Sequence, residues 1–598
     1  MPDHDVARDD YLDGWARVAG SLTWTTPFTE VLRERPPYHD WFVGGRTNLA
    51  LNCLDRHLDA GAGGRTAVLW EGEPGDRREL TYRELHEQTV RLAAALRTMG
   101  VGPGDRVALH LGWLPETVVA LLAALRVGAE VTVIPVALPG EALALRLEAY
   151  APRILFTQDG GWRHGAILPL KARADDALEA TTGVQHTVVV RRTGVHVDWF
   201  EGDLWYDEVL DGADPVLGAA EPLASDATAV VAHLANRRGR PVAVRHGTGN
   251  LAVAALAVFE HGLADGDVFW CAGDVSWLGA QAHGVVGPLL AGACAVMYEG
   301  TLDVPDPART WRLVERYQVS SLMTSPSIVR ALRGWSLTAP AESTASLRRV
   351  TTIGERLDPD LRSWLRTALG SGVTLADGWG QLELAGIVTL DRPVHPDLLP
   401  DPGFAVVDQD GTEVPDGEAG QWVMLWPWPG TLRGVVAARD TDPTAYHWSS
   451  LPGRYASGDL ARRLPDGQVE FLGRLDEVVS ISGQLVSLNE VADALREQPF
   501  VQDAEVFERF DPTVGRSVAA GIVLAPDAPA DDVTLRDLQD GVRDLLGGLS
   551  RPRSLVVVDR FGEELSPAAR RAALAALATG HTGVLRVTWE QVLAAAGR

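Results

Sequence analysis

Lysine is almost missing from this chain: of 54 basic residues in 598, only Lys171 is a lysine. Any chemistry that requires a lysine amine at another position is therefore excluded. Cysteine is scarce as well, and Cys53, Cys271 and Cys294 are widely spaced and odd in number. That pattern excludes a disulfide framework or a thiolate metal site and fits a reducing compartment. Positive charge is short overall, with 54 basic against 80 acidic residues and a net charge of -26, which argues against a nucleic-acid backbone as the main partner. Long apolar runs are lacking too. Thr117–Leu138 carries Arg126 and Glu130, and Gly284–Met297 is too short to cross a bilayer, so no membrane association is expected. The acidic N-terminus, MPDHDVARDDYLDGW, has no basic segment followed by an apolar one, so a cytoplasmic protein is expected. The chain contains no G-x-x-x-x-G-K-[ST], H-E-x-x-H, C-x-x-C or G-x-S-x-G, which disfavours Walker-type NTPases, zinc enzymes and serine hydrolases.

What is present is a globular composition, 46% hydrophobic, with strand and helix patterns in alternation. Apolar runs at Arg106–Gly112, Val131–Val136, Ile154–Thr157, His186–Val190, Ala229–Ala232, Val268–Cys271, Ser321–Thr324 and Val350–Ile353 read as strands. Pro115–Arg126, Leu251–His261 and Trp311–Tyr317 read as helices. Such alternation predicts mostly parallel sheets covered by helices. From about Gly403, short strands with Asp-Gly turns predict an antiparallel subdomain. Beyond Arg474 the pattern is that of a small α/β module. The expected division is residues 1–475 as a large body, with 403–475 its β-rich part, and 476–598 as a small domain.

Several longer strings stand out in order: WFVGGRTNLALNCLDRH at 41–57, DGGWRHGAILPLK at 159–171, GDVFWCAGDVSW at 266–277, GPLLAG at 287–292, WPWPG at 426–430 and YASGDLARRLPDGQVEFLGRLD at 455–476. Together they resemble the AMP-forming acetyl-CoA synthetases of the adenylate-forming superfamily, from about Asp10 to Arg571. The resemblance implies an α/β adenylate-forming fold with a small mobile C-terminal domain hinged near Asp476. It also implies an activity in which a carboxylic acid and Mg-ATP form an acyl-adenylate that coenzyme A then attacks.

Carried over residue by residue, the resemblance assigns Asp459 to the ribose hydroxyls. A carboxylate can accept both hydrogen bonds of a diol. It assigns Gly354 and Glu355 to the adenine pocket, Arg474 to the nucleotide, and Glu383 to Mg²⁺, with Gln381 in register. Arg163 matches an arginine that meets the coenzyme's phosphate, where a guanidinium fork suits the anion. The acyl pocket falls on Leu278, Gly279, Ile353 and Gly380, the last replacing a tryptophan. Removing an indole suggests room for a longer acyl group.

Other positions depart from the pattern. The family's phosphate loop aligns with His233–Ala243, where Arg237, Arg238, Gly239 and Arg240 stand without the usual hydroxyls and first glycine. The C-terminal lysine position falls on Pro567, Leu382 and Leu384 replace threonines, and Leu485 replaces an arginine. These losses converge on ATP-driven adenylation. Three readings stand open. One is a protein that binds AMP or an acyl-adenylate and coenzyme A and carries out thioester formation or another acyl transfer, with a protein partner supplying the activated acyl group. The second is a non-catalytic pseudoenzyme with a binding or scaffolding role. The third is an acid:CoA ligase using the substitute arginines.

Overall fold

The computed structural model describes residues 4–597 except 235–241, 336–343, 437–446, 450, 452, 466, 475–477, 482–483, 512–514, 526–527, 530, 563–564, 566 and 582. Arg237, Arg238, Gly239, Arg240 and Asp476 lie outside the described residues, as do the side chains of Arg474 and Pro567.

Two eight-stranded sheets form the large body. In the first, Asp203–Trp205, His186–Val190, Ile154–Gln158, Arg106–Leu109, Glu130–Val133 and Thr228–Leu234 run parallel, and two antiparallel strands, Val242–Gly247 and Gly434–Val436, close one edge. In the second, Thr374–Gln381, Arg349–Thr352, Ser321–Thr324, Val268–Cys271, Cys294–Glu299 and Thr66–Gly72 are parallel, with Gly386–Leu390 and Arg77–Thr81 antiparallel at the edges. Their strands are near-continuous apolar runs because helices cover both faces.

The two long apolar stretches resolve into short buried elements. Thr117–Leu138 contains most of the helix Pro115–Val127 and the strand Glu130–Val133, separated by Gly128 at φ 83°. A left-handed residue after a helix end is a position that glycine fills without Cβ strain. Arg126, the charge in that run, is buried and binds Asp55 through two bonds of 2.6 and 2.9 Å. No helix among the described residues is long and apolar enough to cross a membrane.

A four-stranded antiparallel sheet, Phe404–Val407, Ala419–Met424, Tyr455–Arg463 and Val469–Arg474, follows the large sheets. The C-terminal module pairs Val501–Asp511, Gly515–Leu524, Ser554–Val558 and Gly583–Val587 in a mixed sheet. It has its own apolar core around Val491, Leu495, Ile522 and Leu555. Its hairpin reaches the large body at Arg330, whose guanidinium carbon lies 5.2 Å from the Phe510 ring centre. The strand that leads into the candidate site is longer than its apolar pattern suggests, running Thr374–Gln381. Its final residues, Gly378 to Gln381, hold two glycines and a glutamine around Trp379 and are paired with the strand Gly386–Leu390.

Candidate functional site

The carboxyl ends of Arg349–Thr352 and Thr374–Gln381 open toward the antiparallel sheet, the place where open α/β sheets usually bind ligands. Asp459 stands there, paired in register with Arg474. Its Oδ2 accepts from Trp379 Nε1 at 2.8 Å and Gln381 Nε2 at 3.1 Å, and its backbone N–H donates to Ser457 Oγ at 3.0 Å. Trp379 and Gln381 lie two apart on one strand, so their side chains share a face. Gln381 also donates to Ser457 O at 2.9 Å and accepts from Tyr455 OH at 2.5 Å. The carboxylate is thereby aimed before any ligand arrives. These two donors use two of its roughly four acceptor sites.

Behind Tyr455 lies buried His447, its ring stacked at 4.4 Å on the tyrosine. His447 Nδ1 donates to Ala456 O at 2.7 Å, and Nε2 sits 3.4 Å from Glu383 Oε1. Glu383 is buried and faces this imidazole. Among the described residues no group of three or more His, Cys, Asp or Glu side chains is arranged to hold a metal ion.

Gly354 adopts φ 95°, which lets the chain turn sharply after the Arg349–Thr352 strand. Asp377 fastens this turn by accepting from Thr352 Oγ1 at 2.6 Å and Leu357 N at 3.0 Å. Burial pushes the Asp377 carboxyl up to about 6. The Glu355 carboxylate points to the helix Pro326–Gly334, where it accepts from Ser327 Oγ and lies 3.9 Å from Arg330 Nη1. The Gly354–Glu355 segment therefore offers backbone, not a carboxylate, to a ligand.

The residues that the resemblance assigns to the acyl pocket are closely packed. Leu278 and Ile353 are buried. A Cβ on Gly279 would fall 2.4 Å from the Trp277 indole. A Cβ on Gly380 would fall 1.8 Å from Gly386 O and 2.7 Å from Ile387 Cα. The register slips between Trp379 and Gly380, where the Gly386–Leu390 strand draws in. At Gly380 the neighbouring backbone stands where a side chain would begin, because a residue without one lets the neighbouring strand approach.

Arg163 ends the strand Gly161–Arg163 of a tight hairpin turning at His164 and Gly165, both at positive φ. It is half-buried and makes no ion pair with another described residue, so its guanidinium can meet an anion. Asp159, four residues earlier, accepts from the backbone N–H groups of Gly160, Arg192, Thr193 and Gly194 and shapes the turn beside it. The helix Pro567–Ala578 begins at the position of the expected lysine. Arg570 and Arg571 both face Glu505, at 3.4 and 3.1 Å, inside the small domain. Lys171 is fully buried between Asp175 at 2.5 Å and Asp203 at 2.8 Å.

Sequence reading missed Trp379, Asp377, His283, Tyr455 and His447. Trp379 was findable, since it and Gln381 alternate on a strand. His283, Tyr455 and His447 meet their partners only through tertiary contacts.

Three family models match the chain in succession. The family described as AMP-binding enzyme matches residues 55–429, the acetyl-coenzyme A synthetase N-terminus matches 3–53, and the AMP-binding enzyme C-terminal domain matches 490–564. The acetyl-coenzyme A synthetase of Mycobacterium tuberculosis is 37% identical over 584 residues, covering 92% of this chain and 88% of that one. That of Streptomyces avermitilis is 36% identical over 577 residues, 93% and 87% of the two chains. That of Pyrobaculum aerophilum is 34% identical over 595 residues, 95% and 88%.

Proposed function

The chain belongs to the AMP-binding enzyme family, among sequences similar to acetyl-coenzyme A synthetases, and from that premise we propose that it keeps the family's nucleotide pocket but not ATP-driven adenylation. One contrast carries this reading. Asp459 is held by two N–H donors in the orientation a ribose diol needs, whereas Lys171, the chain's one lysine, is buried between two carboxylates. A preorganised cation that stabilises developing charge typically contributes about 10²–10³ in rate. No lysine exists here to supply it.

The ligands of this site are then molecules that already carry the adenylyl group. In the first form of the proposal, Asp459 accepts the ribose hydroxyls and Arg163 meets a phosphate of coenzyme A. The thiol sulfur bonds to the acyl carbon, the carbon–oxygen bond to phosphate breaks, AMP leaves and the thiol proton passes to solvent. This half-reaction needs neither the β- and γ-phosphate contacts nor the C-terminal lysine. Its acyl group would come from a protein partner that makes the adenylate. In the second form the protein binds the nucleotide without turnover, as a pseudoenzyme. The closed backbone at Gly380 favours that form. The three cysteines, all free and buried, support a cytoplasmic setting.

Two assays on the full chain test the proposal. ATP–pyrophosphate exchange with acetate should stay at background, while calorimetry should show AMP binding that Asp459→Ala weakens. Robust exchange would overturn the loss of adenylation and point to Arg237, Arg238 and Arg240 as substitutes. AMP affinity unchanged by Asp459→Ala would overturn the pocket. Thioester formation from acetyl-adenylate and coenzyme A, without ATP, separates the two forms.

A further inference from the structure

The region that an acyl group would enter is closed by a wedge of backbone and held by a latch. Gly386, at φ 110°, and Ile387 lie against Gly380, where even a methyl group would overlap Gly386 O. The opposite side of the wedge rests on Gly279 and His283. A Cβ on Gly386 would come within 2.5 Å of His283 Nε2 and 3.4 Å of Gly279 Cα. Gly380 and Gly386 thus permit one close contact, and a side chain at either would prevent it.

Several bonds keep the wedge in place. Ile387 N–H donates to His283 Nε2 at 3.0 Å, both groups being buried. That bond requires an unprotonated Nε2, and burial, which pushes His283 down to about 3, keeps it so at ordinary pH. The chain leading into the wedge is pinned from behind. Trp428 Nε1 donates to Leu384 O at 3.1 Å, and Leu432 N to Glu383 O at 2.7 Å. His246 Nδ1 donates to Gly430 O at 3.0 Å, holding the Trp426–Gly430 loop against the same segment. A ligand that displaced Ile387 would leave a buried N–H unpaired, which is unfavourable in a site water does not reach.

We propose that the Gly386–Ile387 wedge, latched by His283, makes this site specific for an adenosine 5′-phosphate whose phosphate carries no acyl group, and that it excludes acyl-adenylates. This inference rests on the nucleotide pocket proposed above and selects its non-turnover form. His283 acts as a positioning residue: it touches the wedge, not the ligand.

The test is calorimetric titration of the full chain with AMP, with adenosine 5′-sulfamate, and with its N-acetyl, N-propionyl and N-butyryl derivatives, which mimic acyl-adenylates without hydrolysing. AMP and the unacylated sulfamate should bind, and each acylated compound should bind at least tenfold more weakly than the sulfamate. Acylated compounds binding as tightly as the unacylated one would overturn the inference while leaving the nucleotide pocket intact. Failure of all five to bind would overturn the pocket, and the inference with it. His283→Ala should narrow the gap between acylated and unacylated compounds at least fivefold, with AMP affinity unchanged. An unchanged gap in folded variant would overturn the latch. Should that variant not fold, the wild-type ratio decides alone.

Discussion

The two sides of one short strand end, Trp379 to Gln381, make the most informative comparison in the molecule. On the ribose side, indole and amide N–H groups reach out to Asp459. On the acyl side, Gly380 offers nothing, and the neighbouring backbone closes over it. The first side is built by side chains that aim a carboxylate. The second is built by the absence of a side chain, which lets backbone approach. Neighbouring residues of one strand thus make, on the reading proposed above, one half of a binding site open to a polar ligand and the other half closed.

Acid should break this comparison hardest. His283 and His246 hold the acyl side as neutral imidazoles, pushed by burial down to about 3 and about 4, and His110 and His233 are likewise buried and pushed down to about 3. Their folded values lie below the ordinary imidazole range, so between about pH 4 and 6.5 the unfolded chain binds more protons than the folded one. Stability is fully present above that range and falls as pH drops through it. Each histidine contributes up to about 1.4 kcal/mol per pH unit, or about 5 kcal/mol per unit for the four together. Asp377 and Glu299, raised by burial to about 6 and about 7, act with the opposite sign and offset about two of them. Urea midpoints at pH 7, 6 and 5 should fall steeply. A flat profile would contradict the neutral latch.

Lys171 sharpens the comparison by lying outside it. Lys171→Met leaves Asp175 and Asp203 without their shared cation and should destabilise the fold by about 3–5 kcal/mol. Chemical denaturation checks this, and AMP affinity of the folded fraction should not move. A lysine serving the site would instead give a stable protein with weakened binding.

Smaller effects probe the ribose side. Asp459→Ala should weaken AMP binding by about 10–100-fold, the range for a hydrogen bond to a charged group. Trp379→Phe keeps the ring but removes one N–H from Asp459, and should weaken AMP by roughly fivefold. Titration calorimetry reads both. If Trp379→Phe matched Asp459→Ala, the indole would be contacting the nucleotide itself rather than aiming the carboxylate.

The alternation of apolar strands and helices was legible in the sequence because parallel strands buried on both faces must be apolar. His186–Val190, Val268–Cys271 and Ser321–Thr324 occur with the expected bounds. The full length of the strand ending at Gln381 is not legible in its sequence, because glycines interrupt the apolar pattern and its end depends on pairing with Gly386–Leu390. Within the site, Asp459 was visible as a carboxylate whose chemistry matches a ribose, and Gln381 as a residue in register near it. His447 and His283 were not, since a single histidine in an apolar setting carries no local signal of what it will touch. The close approach of backbone to Gly380 was not legible either. A glycine in a sequence records lost volume, but it says nothing of what moves into that volume.

By itself, then, the sequence determined the layered α/β architecture, the family, the near-absence of lysine and the presence of a carboxylate suited to ribose. These follow from residue type and order, which local chemistry and periodicity express directly. Only the tertiary structure decided that Lys171 is a buried structural cation, that Glu383 faces an imidazole, and that the acyl side is shut. Those outcomes depend on which distant segments pack together, and a wedge made of backbone has the same atoms in every sequence.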